Sequence, residues 1–379
     1  MPQSPFQTPL KWDIFCTVID NFGDIGVSWR LAKTLSHDFA QIVRLFVDDL
    51  NALKALVPQT NPLTKQQVIE QIEVILWDDA VTTRPGDVVI ETFGCHLPPA
   101  FIQQMQKQKP IWINLEYFSA EPWVQDFHLM PSKQANGLDK TFFFPSILEH
   151  SGGLMREADL LTRRQTFMQT NHQAWLSSFG LPKPLENSFK ISLFAYENNA
   201  LATLFESWQQ SSTPIEIYLP QGRLLTSAEQ ALKQTLSAGQ SLKIGQMTLH
   251  ILPFLPQAEY DALLWLCDLN FVRGEESLVR AQWAGKPFIW HIYPTDDQAH
   301  WDKLNAFFNV YSKQLSAPAK DALIEFNQAW NHQSVNHQAW LNLIQNQTVL
   351  NQHAEAWIQY LENLGELTSN LVKFVKSKV

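Results

Sequence analysis

The chain has 379 residues, 45% of them hydrophobic, and a formal net charge of −9. Its length exceeds what one compact core usually holds, so two domains are expected; the acidic balance argues against a broad nucleic-acid surface, which needs clustered Lys and Arg. No stretch approaches the roughly 20 apolar residues that span a bilayer, and three widely spaced cysteines (Cys16, Cys95, Cys267) fit neither a disulfide framework nor a zinc site.

Residues 1–11 lack a basic region followed by an apolar core, so no secretory signal is expected and the chain is read as cytoplasmic. From there, short apolar runs alternate with helical patterns. Strands are predicted at 12–19, 42–47, 74–77, 88–91 and 111–117, and a helix at 27–35. Continuous apolar strands separated by helices imply a parallel sheet covered on both faces. The character changes between 151 and 190. There Gly152 and Gly153, then Gly180, Pro182 and Pro184, flank a charged helical stretch with Arg156, Arg163 and Arg164, read as the crossing between domains. Alternation resumes with strands at 191–196, 215–219, 249–252, 269–272 and 288–291; residues 320–379 are predicted helical. The expected fold is α/β, with two Rossmann-like domains facing a central cleft. The expected bounds are 1–152 for the first domain, 153–187 for the linker and 188–349 for the second, with a C-terminal helix at about 350–379 packing back on the first.

In open α/β sheets, ligands bind outside the C-terminal ends of the strands. Four segments fall there. The first is Ile19-Asp20-Asn21-Phe22-Gly23-Asp24-Ile25-Gly26. It lacks the G-x-G-x-x-G spacing of a dinucleotide loop, and Asp20 and Asp24 would oppose a pyrophosphate; two carboxylates at a strand end suit a general base better. Gly23 and Gly26 are candidates for positive φ or for close approach of a ligand to the backbone. The plainer alternative is that Asp24 caps the helix and Asp20 starts a turn. The second segment is Phe194-Ala195-Tyr196, the counterpart of that loop in the second half.

The third segment runs from Leu252 to Asp261. Phe254 and Tyr260 could sandwich a base and Gln257 could read its polar edge, unless the aromatics are simply core and Pro256 simply opens a helix. The fourth is Asn270-Phe271-Val272-Arg273-Gly274-Glu275-Glu276-Ser277, a strand running into a helix N-terminus. Free N–H groups, the fork of Arg273 and the hydroxyl of Ser277 suit phosphates, and Glu275 suits sugar hydroxyls. Alternatively the two glutamates only complement the helix dipole. Asp296, Asp297 and His300 have no established metal spacing and are read as a helix cap, so no metal site is expected.

Together, Trp12-Asp13-Ile14-Phe15-Cys16, Asp20 to Val27, Leu252 to Gln257 and Asn270 to Ser277 resemble the elongation factor P arginine rhamnosyltransferases, a family with a GT-B fold. The resemblance covers nearly the whole chain. It implies transfer of rhamnose from dTDP-β-L-rhamnose to one arginine side chain of elongation factor P, with inversion, and with no metal or cofactor. It implies Asp20 as the general base or acceptor-orienting carboxylate, with Asp24 and Glu275 supporting acceptor and sugar. Phe194, Tyr196, Phe254, Gln257, Tyr260, Arg273, Glu276 and Ser277 would line the dTDP-sugar site, joined by the loop positions Phe22, Gly23 and Gly274. The position after Glu275 is often Asp in the family and is Glu276 here, which leaves its role open. Three other functions remain: a transferase of the same fold acting on a glycan or lipid, a non-catalytic nucleotide-sugar sensor, and a NAD-binding enzyme. For the last, Asp48 or Asp49 ends the second strand where a ribose-binding acid would lie, but the third glycine is missing.

Overall fold

Alternation decides which side of a sheet each residue faces. Along β1 (Lys11–Cys16), Trp12, Ile14 and Cys16 enter one buried cluster, while Phe15 enters another on the opposite face. The structure, a computed structural model, describes residues 8–19, 22–78, 81, 83–170 and 172–379. It divides into two compact units, Met1–Leu160 with Leu361–Val379, and Leu161–Tyr360.

In the first unit, β1 is followed by β2 (Ile42–Val47), β3 (Gln66–Ile69), β4 (Ile72–Leu76), β5 (Val88–Thr92), β6 (Ile111–Leu115), β7 (Pro131–Lys133) and β8 (Asp139–Phe143). They form one sheet in the order β3-β4-β2-β1-β5-β6-β8-β7, with only the edge pairs β3–β4 and β7–β8 antiparallel. The helix Gly23–His37 covers one face through Ile25, Trp29, Leu31, Ala32 and Leu35, beside Leu371, Val372 and Val375 of the helix Leu367–Lys376. The helix Pro99–Gln108 covers the other with Phe101 and Met105, against Phe15, Phe46 and Trp77. Each fully buried Leu, Ile, Val, Phe or Met side chain among them contributes about 1.5–3 kcal/mol relative to exposure. A polar staple crosses the core: Arg44 Nε and Nη2 donate to the two Asp13 oxygens, each at 2.7 Å.

The second unit has β9 (Phe189–Leu193), β10 (Ile215–Pro220), β11 (Ser241–Ile244), β12 (Met247–Leu252), β13 (Leu269–Arg273) and β14 (Phe288–His291). Their order is β11-β12-β10-β9-β13-β14, parallel except β11–β12. An aromatic layer seals one side, with Phe271 edge-on to Trp330 at 4.9 Å and Trp208 edge-on to Trp340 at 5.5 Å. In both sheets the first strand lies where the strand order reverses: β1 between β2 and β5, β9 between β10 and β13. That switch point is where an α/β sheet opens its ligand crevice.

Some expected boundaries shift. β1 stops at Cys16 and not at 19, and the helix predicted at 27–35 begins at Gly23. Arg163 and Arg164 lie on the helix Leu160–Gln169; Arg156 precedes it and is ion-paired with Glu362 at 3.2 Å. The strands β3, β7, β8 and β11 were not predicted; they are polar or half-exposed and present little apolar pattern. No helix among the described residues is long and apolar enough to cross a membrane.

Candidate active site

The two switch points carry opposite chemistry. In the first unit, the helix after β1 has Phe22 at its N-cap position and Asp24 in its first turn. Asp24 does not cap the helix. Its buried carboxylate accepts the Ile19 N–H at 2.9 Å through one oxygen and the Tyr117 hydroxyl at 3.1 Å through the other. A negative charge there is stabilised by the positive end of the helix. Tyr117 follows β6 and stacks on Phe93, which follows β5, with ring centroids 4.3 Å apart and planes 15° off parallel. The Ser28 hydroxyl donates to the Asp24 carbonyl at 2.8 Å, and Thr92 Oγ1 donates to the Phe15 carbonyl at 2.7 Å, tying helix and strands together. Gly23 and Gly26 sit within the helix with negative φ, so the positive-φ option is not used. Phe22, Gly23 and Asp24 thus occupy one strand-helix junction. Asp20 lies outside the described residues.

In the second unit, Arg273 ends β13, and its guanidinium carbon lies 4.5 Å from the Phe194 ring centroid and 5.1 Å from that of Tyr196. Phe194 in turn meets Tyr260 at 5.0 Å. Tyr260 is on the helix Gln257–Leu266, with Gln257 three residues earlier and so on the same face. Burial pushes the Tyr260 hydroxyl pKa well above its usual value, so the phenol stays protonated. Phe254 lies half-buried in the loop after β12. Gly274 turns the chain at φ +59°, a left-handed conformation that favours glycine. Its carbonyl accepts Trp290 Nε1 at 2.7 Å, and its N–H donates to the His291 carbonyl at 3.2 Å.

The helix Glu276–Ala284 follows, with Glu275 at its N-cap position and ion-paired to Lys303. The Ser277 hydroxyl accepts the Arg273 N–H at 3.0 Å and donates to the Arg273 carbonyl, so it fixes the backbone that carries the guanidinium. Behind the site, Arg280 grips both oxygens of buried Asp261 at 2.8 and 2.7 Å, locking the helix Gln257–Leu266 to the helix Glu276–Ala284. Breaking a buried pair of this kind costs about 3–5 kcal/mol.

Several side chains in these neighbourhoods carry no recognisable motif. Arg223 places its guanidinium carbon 5.4 Å from the Tyr196 ring and pairs with Glu197 at 3.0 Å. Lys303 meets Glu275 from the helix Ala299–Tyr311. His291 ends β14 with its ring 5.2 Å from Tyr196, and its pKa is lowered to about 4, first by burial and then by the Arg273 charge. It is therefore neutral near pH 7. Position at or just past the C-terminal end of a strand is the one sequence signal that picks out Arg223, Tyr117 and His291 together; Lys303, inside a helix, has none.

Asp297 accepts the Ala299 N–H at 3.1 Å and His300 Nδ1 accepts the Thr295 N–H at 3.1 Å, an arrangement that organises the turn into the following helix. Among the described residues no three His, Cys, Asp or Glu side chains are grouped to hold a metal ion.

In chemical terms, two guanidiniums and a helix N-terminus around Tyr196 suit an anion, and the neighbouring aromatics suit a flat base. The carboxylate of Asp24 beside Tyr117 suits a cation or a proton.

Residues 12–376 match the family model described as Elongation-Factor P (EF-P) rhamnosyltransferase EarP. The chain is 43% identical over 374 residues to the protein-arginine rhamnosyltransferase of Pseudomonas putida, covering 97% of this chain and 99% of that one. It is 37% identical to the protein of the same name from Neisseria meningitidis serogroup B, covering 96% of each. Among solved structures it is similar to one described as the structural basis for EarP-mediated arginine glycosylation of translation elongation factor EF-P, with TM-score 0.70, 32% identity, and coverage of 98% of this chain and 100% of that one. MurG of Acinetobacter baumannii, at TM-score 0.52 and 13% identity over 97% of this chain and 99% of its own, shares the GT-B fold.

Proposed function

The chain belongs to the elongation factor P rhamnosyltransferase family, and on that premise we propose that it is a cytoplasmic, inverting, metal-independent protein-arginine rhamnosyltransferase. Its donor is dTDP-β-L-rhamnose and its acceptor one arginine side chain of elongation factor P. The observation that carries the donor assignment is the seat of Arg273, stacked on Phe194 and Tyr196 at the mouth of a helix N-terminus. A guanidinium and a helix end together offer a diphosphate the positive charge that other transferases take from Mg²⁺.

The chemistry divides between the units. The acceptor guanidinium stays protonated at ordinary pH and is a poor nucleophile. A carboxylate, assigned to Asp20 with support from Asp24, holds it through paired hydrogen bonds and takes one proton as a nitrogen forms its bond to the anomeric carbon. The bond from that carbon to the diphosphate oxygen breaks on the opposite face, and dTDP leaves with the electron pair. An oxocarbenium-like transition state places positive charge on the sugar, which Glu275 opposes. Developing negative charge on the leaving diphosphate meets Arg273 and the helix N-terminus.

Intact-mass analysis of elongation factor P after incubation with the enzyme and dTDP-rhamnose in EDTA tests the whole assignment. The expected product is the acceptor plus one deoxyhexose, located on arginine by fragmentation. An unmodified acceptor, or modification that needs added Mg²⁺, sinks the corresponding part.

A further inference from the structure

The nucleotide-sugar reading rests on Arg273, yet a second guanidinium faces the same ring. Sheet order places β10 and β13 on either side of β9. Arg273 is the last residue of β13; Arg223 follows β10 by three residues, at the N-cap of the helix Leu224–Leu232. Tyr196, three residues past the end of β9, lies between them, 5.1 Å from one guanidinium carbon and 5.4 Å from the other. Resting on that reading, we propose that Arg223 is a second binding residue for the donor diphosphate, and that Glu197 is a built-in competitor which holds Arg223 until phosphate oxygens replace it.

Charge balance supports a second cation. A nucleoside diphosphate sugar carries about two negative charges, while one guanidinium and a helix end supply about one and a half. Arg223 makes up the difference without a metal ion. Its present partner is exchangeable: side chains of Arg223 and Glu197 are 45% and 48% exposed, and exposed ion pairs are weak. The contrast with Arg280–Asp261, both 2% exposed and bidentate, is plain; that pair is built to stay closed. Glu197 follows Tyr196 in sequence, so the competitor is carried on the same loop as the ring that both arginines cover. Beside them, burial first and then the charges of Arg273 and Arg223 push the His291 pKa down while Glu197 pushes it up, so all three charged groups lie near that ring.

Calorimetry of the full chain with dTDP, and competition by thymidine, tests the proposal. Arg223→Gln should weaken dTDP by about 5- to 20-fold and leave thymidine, which has no phosphate, unchanged. Arg223→Lys should fall between, keeping the charge but losing the fork. Glu197→Gln should tighten dTDP by about two- to fivefold, the strength of an exposed pair. Arg223→Gln binding dTDP within twofold of the parent overturns the proposal, as does an equal loss of thymidine and dTDP in both Arg223 variants. The nucleotide-sugar reading fails separately: if the parent chain binds no dTDP, both fall, whereas dTDP binding that depends on Arg273 and not on Arg223 removes only the role of Arg223.

Discussion

Each unit gathers three groups at the C-terminal ends of its central strands, and the two sets differ in sign. In the first unit the helix after β1 and the loops after β5 and β6 bring Asp24, Phe93 and Tyr117 together, a carboxylate edged by stacked rings. In the second, the loops after β9 and β10 and the last residue of β13 bring Tyr196, Arg223 and Arg273 together, a ring covered by two cations. The backbone solution is the same, since a parallel sheet leaves its crevice where helices depart to opposite faces. The chemistry comes entirely from the side chains placed there. An acidic pocket takes a cationic nucleophile and its proton; a basic one takes a diphosphate.

The largest effect should come from the acidic side. Asp20→Asn keeps size and turn-forming ability but removes basicity. If Asp20 is the base, turnover falls by about 10² to 10⁴ while dTDP binding in the second unit is unchanged. Single-turnover rates at saturating donor measure this, and retention of more than about a tenth of parental turnover contradicts the assignment. On the basic side, Arg273→Ala should act in the opposite sense. Its charge meets the ground-state diphosphate, so donor affinity should drop by roughly 10- to 100-fold with a smaller change in turnover at saturation. An Arg273→Ala enzyme whose dTDP affinity stays within threefold would erase the contrast between the two units.

Phe254→Ala probes whether the second unit reads the base as well as the phosphates. Loss of a stacking face should weaken donor binding by about 1–3 kcal/mol and leave the melting temperature nearly unchanged. A fall in melting temperature with normal donor binding would move this half-buried ring from the site to the core.

Much of this contrast is legible in the residues. Continuous apolar runs mark the central strands of both sheets, and the Arg273-Gly274 step marks a strand-helix junction because glycine takes the left-handed turn at φ +59° without the cost a side chain brings. The edges are less legible. β3 and β4 are joined through Glu70 and Gln71, both at positive φ, where Asn and Gly are the usual signals. Within the site, partners separated in sequence escape local patterns altogether. Asp24 finds Tyr117 across 93 positions and Glu275 finds Lys303 across 28. Arg223 follows Gln221-Gly222, which says only that a strand has ended. Sheet order brings these groups together, and sheet order is a long-range property.

The smallest effect tests whether the acidic side is organised as tightly as the basic one. Tyr117→Phe removes one hydroxyl and keeps the ring that stacks on Phe93. Asp24 retains the Ile19 N–H on its other oxygen, so the carboxylate stays in place but is held less firmly. Tyr117 is 38% exposed, so water can take over part of the lost bond. The cost should then be that of an ordinary hydrogen bond, about 0.5–1.5 kcal/mol, or roughly a 2- to 10-fold fall in kcat/KM for the protein acceptor. Affinity for dTDP should not move, because the hydroxyl of Tyr117 is spent on the Asp24 carboxylate, which is assigned to the acceptor. A double-mutant cycle with Asp24→Asn separates orientation from mere packing. If the hydroxyl acts by orienting the carboxylate, the second substitution costs less in the presence of the first, with coupling above about 0.5 kcal/mol. Strict additivity, or a Tyr117→Phe enzyme with unchanged acceptor kinetics, would mean that the phenol only fills space and that Asp24 is positioned by its helix and the Ile19 N–H.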